Sequence, residues 1–330
     1  MVKRSLNKEI SPADFEFLVS KATKAPSGHN TQPWRFRQNG SAVEIHPDFD
    51  RRLPVVDPDD RELFVSLGCA AENLCLAAQN IGYESSVAVG DTGVIAVALA
   101  EGADVKSSSL FEQIDLRQTN RSIYTGEEIA LDALKRLQAI RSEDGVSVHY
   151  YARQTKQFND IEQYVLQGNT RQMQNEAFKA ELKSWMRFNK KHQDQTLDGL
   201  SYAVFGAPNL PRWMAKLIMS MAINAKTQNK ADRKKIASAS HLVLFTTREN
   251  SRREWVNLGR TLQRFLLTST ELGISHAYLN QPNEQPEIAA EMTKTLDLDG
   301  EYPTVLLRVG YGEQQAYSKR RSIGDVIAAD

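Results

Sequence analysis

The sequence predicts an α+β fold. Helix-like and strand-like segments are mixed without the regular alternation of a doubly wound sheet. Hydrophobic residues make up 41% of the 330, enough to fill a real core. Turn and capping signals mark where one periodicity gives way to another. Ser11-Pro12 is an N-cap followed by proline at the first helical position, and predicts a helix to about residue 23. Residues 34–38 and 43–46 alternate like strands around Asn39-Gly40, a hairpin turn. Asp57-Pro58 caps a longer helix, with Leu63, Leu67, Leu74 and Leu76 on its apolar side and an end near Gly82. Two short strands follow within 87–99. A polar patch at 106–109 leads into a helix containing Leu110, Ile114 and Leu116.

Residues 156–195 are highly charged and helical in period, and Pro208 and Pro211 break that pattern. Beyond them, residues 212–221 form an amphipathic, methionine-rich segment. A strand over 241–245, a long helix over 252–272, a strand over 277–279, a helix over 284–295 and a strand over 304–309 complete the prediction. Residues 68–82 align with 259–273 at a constant offset (259−68 = 273−82 = 191), glycine to glycine at both ends. Phe64-Val65 matches Trp255-Val256 at the same offset. This reads as an internal duplication; the alternative is chance similarity between two amphipathic helices.

Composition excludes several classes. Lys+Arg 41 against Asp+Glu 41 argues against a general nucleic-acid or acidic-membrane binder, leaving room for a local basic patch. Cys69 and Cys75 lie six apart in a helical pattern and form neither a CxxC nor a zinc pair. With no disulfide framework, no apolar signal core at the N-terminus and no run long enough to span a bilayer, a cytoplasmic protein is expected. The six histidines are scattered, so no metal site is expected. Gly310-Tyr311-Gly312 is followed by Gln315, which breaks the dinucleotide fingerprint. There is no P-loop and no Gly-x-Ser-x-Gly elbow.

Three polar clusters remain. The first is the loop Ser27, Gly28, His29, Asn30, Thr31, Gln32, held between Pro26 and Pro33 and anchored by Trp34 and Phe36. The second is Arg117-Gln118-Thr119-Asn120-Arg121, and the third is Lys319-Arg320-Arg321. A phosphate monoester needs charge-assisted donors together with hydroxyl and amide donors, and these residues supply both kinds. Taken singly, Arg117 and Arg121 also suit a solvated helix end, and Lys319 to Arg321 a surface run.

The loop from Pro26 to Trp34 resembles the flavin loop Pro-Ser-x-x-Asn-x-Gln-Pro-Trp of the FMN-binding nitroreductase superfamily. The resemblance covers nearly the whole chain and is to the single-chain branch with two fused halves, the Acg type. Arg117 to Arg121 is similar to that family's Arg-x-Ser-x-Arg/Lys segment, with Thr119 in place of serine. The resemblance implies a nitroreductase-like fold of two related α/β halves fused as a pseudo-dimer. Residues 1–106 would be the first half; 107–330 would be the second, with a lid-like insertion near 196–225. It implies that Arg117, Thr119, Lys319 and Arg321, with Arg320 beside them, grip the FMN phosphate and ribityl end. Arg121 would sit by the pyrimidine edge. Ser27, Gly28 and Asn30 would reach over from the other half, with His29, Thr31 and Gln32 in the same loop. Leu279, Asn280 and Gln281 would lie by the N5 edge, and Lys235 would be a further cation by the ring. The activity implied is ping-pong transfer of hydride from NAD(P)H to a small acceptor such as a nitroaromatic or quinone, with one FMN per chain. The chain would be a monomeric pseudo-dimer or a homodimer, without nucleic-acid or membrane partners. The other reading is a protein that binds and sequesters FMN under a lid.

Overall fold

The computed structural model describes residues 9–298 and 300–328, the side chains of 219–222 excepted. Helix α1 (Pro12–Ala22) starts as expected, the Ser11 side chain accepting from the Asp14 amide at 3.1 Å. Strands β1 (Trp34–Asn39) and β2 (Ala42–Pro47) pair as a hairpin. Its turn is Gly40-Ser41 rather than Asn39-Gly40, because Asn39 still pairs with Ala42 and Gly40 takes the positive φ of +58°. Alternation along the hairpin buries Trp34, Phe36, Val43 and Ile45. Helix α2 (Arg61–Asn80) begins later than the Asp57-Pro58 signal, yet Asp57 still caps it, accepting from the Leu63 amide at 3.0 Å. Strands β3 (Tyr83–Val89) and β4 (Ile95–Glu101) complete an antiparallel sheet in the order β1-β2-β4-β3.

Short helices α3 (Leu110–Gln113) and α4 (Leu131–Gln138) lead to β5 (Val146–Ala152). A helical excursion follows: α5 (Lys156–Gln174), α6 (Glu176–Ser184), α7 (Lys190–Thr196), α8 (Arg212–Ala222) and α9 (Ala225–Ala237). Within it, β6 (Met186–Arg187) and β7 (Leu200–Ser201) form a two-residue parallel pair. The chain then runs through β8 (His241–Thr247), α10 (Arg252–Glu271), β9 (Ser275–Tyr278), α11 (Pro286–Thr295), β10 (Tyr302–Gly310) and α12 (Ile323–Val326). The second sheet has the order β5-β8-β10-β9 and is antiparallel throughout. β5, α4 and α9 have no counterpart in the sequence prediction. β5 lies at the sheet edge with most of its side chains half-buried, so it lacks clean alternation. The helix expected around Leu110 to Leu116 is a single turn, α3.

The two sheets have the same topology. Counted along the chain, each runs first-second-fourth-third in space, with a 20-residue helix between its second and third strands. Helices α2 and α10 are related by the predicted offset at both ends (252−61 = 271−80 = 191). They cross where Gly68 meets Gly259. A Cβ on Gly68 would lie 2.2 Å from the Val256 carbonyl oxygen, and one on Gly259 would lie 2.1 Å from that of Val65. Phe64 and Trp255, also 191 apart, stack with ring centroids 6.2 Å apart. One hydrophobic core takes residues from both four-stranded sheets and from α2 and α10, among them Trp34, Phe64, Phe245 and Phe265. After β10 the tail returns to the first sheet, where Ile327 pairs with Phe36 and the Ala328 amide donates to the Phe36 carbonyl at 2.8 Å. Among the described residues, no helix is long and apolar enough to cross a membrane.

Candidate functional site

A cavity of about 960 Å³ is lined by Ser27, Gly28, His29 and Asn30, by Arg117, Thr119 and Arg121, and by Lys319, Arg320 and Arg321. The three clusters, far apart in sequence, therefore converge. Asn280 and Gln281 also line it.

Four expected residues do not. Thr31 and Gln32 are buried within the loop. Gln32 is a stitch: its Nε2 donates to the Leu197 carbonyl at 2.9 Å and its Oε1 accepts from the Arg321 amide at 2.9 Å. Leu279 packs in a second core with Phe158 and Leu306, because alternation past β9 turns Tyr278 and Asn280 to the cavity and Leu279 away. Lys235 sits with its Nζ 3.9 Å from Asp232 and is no part of the wall.

The loop is strained and tightly held. His29, Asn30 and Gln32 have φ of +46°, +55° and +54°. The Ser27 Oγ accepts from the Gln32 amide at 2.9 Å, which leaves its O–H to donate elsewhere. Arg320 lines the cavity but spends its guanidinium on the loop. Its Nε donates to the Thr23 carbonyl at 2.8 Å, its Nη2 to that of Ala25 at 3.1 Å and its Nη1 to the Asn30 Oδ1 at 3.0 Å. These bonds tie the tail to the loop. The Asn30 Nδ2 donates to the carbonyls of Gly199 and Lys319, both at 3.2 Å, joining the excursion and the tail to the loop. Arg51 donates to the Thr31 carbonyl at 2.6 Å and pairs with Asp198, which Arg187 also grips at 2.6 Å.

The electrostatics of this end favour an anion. Arg117 is only 5% exposed; its Nη2 donates to the Lys24 carbonyl at 3.0 Å, while its Nε and Nη1 are buried without a partner. Desolvation lowers its pKa. Arg320 is lowered to about 9, by desolvation first and then by Arg117. Arg121, lowered to about 10 by desolvation, faces the Phe205 ring at 5.5 Å. The Arg321 Nη1 is buried without a hydrogen bond, 3.9 Å from the Asp48 Oδ2. His29 is lowered to about 4 by desolvation and by Arg121, so it is neutral at pH 7. Buried guanidinium N–H groups without acceptors are what a phosphate monoester would satisfy.

Other lining residues escaped the sequence reading. Glu62 accepts from the Asn280 Nδ2 at 2.9 Å, and Gln172 donates to Glu284. Burial, followed by the neighbouring Glu62, pushes the Glu284 carboxyl well above the usual carboxylate range. Asp57, behind them, is raised to about 7 by burial and by Glu62. In sequence Asp57, Glu62 and Glu284 look like ordinary solvated acids near helix starts. Only for Tyr278 was there a usable signal, strand alternation with Asn280. Cys69 also lines the wall, but its Sγ donates to the Gly259 carbonyl at 3.1 Å and desolvation pushes its thiol up, so it is an inert thiol. The excursion adds Leu200, Phe205 and Ile223 to the wall. No cluster of three or more His, Cys, Asp or Glu suited to a metal occurs among the described residues.

No family model matches the chain. Over 333 aligned residues it is 25% identical to "Putative NAD(P)H nitroreductase Rv3131" of Mycobacterium tuberculosis H37Rv, covering 94% of this chain and 90% of the relative. The same figures hold for "Putative NAD(P)H nitroreductase MT3217" of Mycobacterium tuberculosis CDC 1551. Among solved structures it aligns with the FMN-dependent nitroreductase NfnB of Mycobacterium smegmatis in complex with NADPH. That alignment has 12% identity and a TM-score of 0.43, and covers 66% of this chain and 96% of that one. It also aligns with a nitroreductase with bound FMN from Bacteroides fragilis, at 13% identity and a TM-score of 0.38, covering 66% and 95%.

Proposed function

We propose that this chain is an FMN-dependent oxidoreductase of the nitroreductase superfamily, with two related halves fused as a pseudo-dimer, that oxidises NAD(P)H and reduces a small acceptor. The observation that carries this reading is the buried Arg117 guanidinium, with two N–H groups unanswered at the wall of a cavity shared by three distant polar clusters. The likeness over 94% of the chain to two relatives named "Putative NAD(P)H nitroreductase" supports it. The repeated sheet topology and the Gly68–Gly259 crossing support the fused pair.

Arg117, Arg321 and Lys319 would hold the phosphate, with Thr119 and the Ser27 hydroxyl as neutral donors. Arg121 would lend positive charge to the ring's pyrimidine edge. Bound FMN would supply the hydride chemistry, between NAD(P)H and an acceptor such as a nitroaromatic or quinone. The protein's own part is orientation, charge and exclusion of water. Arg320 and Asn30 fix the loop, and the Phe205 ring lies 5.5 Å from the Arg121 guanidinium.

The test begins with the absorption spectrum of freshly purified protein, where a yellow flavoprotein is expected. Anaerobic NADH or NADPH should bleach it within the time of mixing. Colour that persists for hours would instead favour sequestration of FMN, and colourless protein that takes up no added FMN would overturn the cofactor assignment.

A further inference from the structure

We infer that α8 is an interfacial helix that docks this protein on an anionic lipid surface. The chain as a whole is neutral, 41 cationic against 41 anionic side chains, but residues 199–231 carry Arg212, Lys216, Lys226 and Lys230 and no aspartate or glutamate. In the same segment Trp213 is 69% exposed, Leu217 58% and Ile218 54%. Trp213 and Leu217, four apart, share one face of α8, and Ile218 widens the stripe. A surface helix ordinarily turns such a stripe to the core. Here it points outward, beside cations, the arrangement of helices that lie in a membrane interface. Tryptophan is the side chain most at home at that depth, where its ring is buried and its N–H stays wet.

Charge decides between the two simplest occupants. A second copy of this chain, packed on the stripe about a twofold axis, would set Arg212 and Lys216 against their own copies. No carboxylate in the segment could answer them. A bilayer rich in phosphatidylglycerol satisfies both features at once, with acyl chains for the stripe and anionic headgroups for the cations. Phe205 and Ile223, on either side of α8, line the cavity, so docking sets part of the cavity wall beside an apolar phase. The inference does not rest on the flavin reading.

The test is sedimentation of the full chain with vesicles of phosphatidylcholine and phosphatidylglycerol, against vesicles of phosphatidylcholine alone. Binding to the anionic vesicles is expected, weakened by salt. Trp213→Ser with Ile218→Ser should abolish it, and Arg212→Gln should weaken it about fivefold. Thermal melts of the variants check that they fold. Absence of binding by the parent chain would overturn the inference, as would undiminished binding by the folded double variant. So would a concentration-dependent dimer that the same double variant dissolves, because a second copy would then cover the face.

Discussion

Arg117 carries two opposed consequences at the scale of one residue. Its guanidinium is buried without an ion pair among the described residues, so it destabilises the empty protein while preparing it for an anion. Arg117→Met is therefore expected to raise the unfolding temperature of the FMN-free protein and to weaken FMN by about 1.5–3 kcal/mol. Calorimetry and flavin titration on one preparation check both signs. Arg321→Ala should weaken FMN similarly; unchanged affinity in both variants would refute the phosphate assignment. His29 gives a pH signature. Its folded pKa, about 4, lies below its ordinary 6.5. Between those values the unfolded chain binds a proton that the folded chain refuses, so stability falls as pH falls from 6.5 to 4. His276, lowered to about 3 by burial and Arg117, adds its own loss from pH 6.5 and extends it to lower pH. The His29 share is roughly 3 kcal/mol. Denaturant midpoints of the FMN-free protein should drop across that window, and His29→Gln should roughly halve the slope between pH 6.5 and 4, where His276 also contributes.

Among the elements, the α2–α10 crossing sets the sharpest expectation. A methyl on Gly68 or Gly259 meets backbone oxygen within about 2.2 Å, and backbone cannot swing aside as a side chain can. Gly68→Ala and Gly259→Ala should each cost at least the 1–3 kcal/mol of ordinary overpacking. The double variant should cost less than the sum, since the first methyl already forces the helices apart. Strict additivity in thermal melts would mean that the two glycines do not share one contact. Helices α1 and α2 were legible because their caps and periodicity are local: Ser11-Pro12, Asp57 and Gly82 all act within a turn of their position. β5 was not, because an edge strand borrows its order from β8. Leu279 and Lys235 went astray for a related reason. Their place depends on which way a strand or helix faces, and one residue of rotation decides it.

For the molecule as a whole, the expected stoichiometry is one FMN per chain, because the second half has no copy of the Ser27 loop. Saturating FMN should raise the unfolding temperature, as any ligand of the folded state does. Two equivalents bound per chain, measured by absorbance after desalting, would contradict this. What the sequence determined by itself is what short-range chemistry encodes. It includes most of the helices and strands, the 191-residue offset between α2 and α10, and the three clusters whose residue types suit a phosphate. The tertiary structure alone decided which of those side chains are free. Arg117 and Arg320 look alike in sequence, yet one is left with unanswered N–H groups and the other is consumed by the loop's own carbonyls. Hydrogen-bond capacity is a property of a neighbourhood. That neighbourhood is assembled only when the tail folds back across the first half and the excursion meets the loop at Asn30.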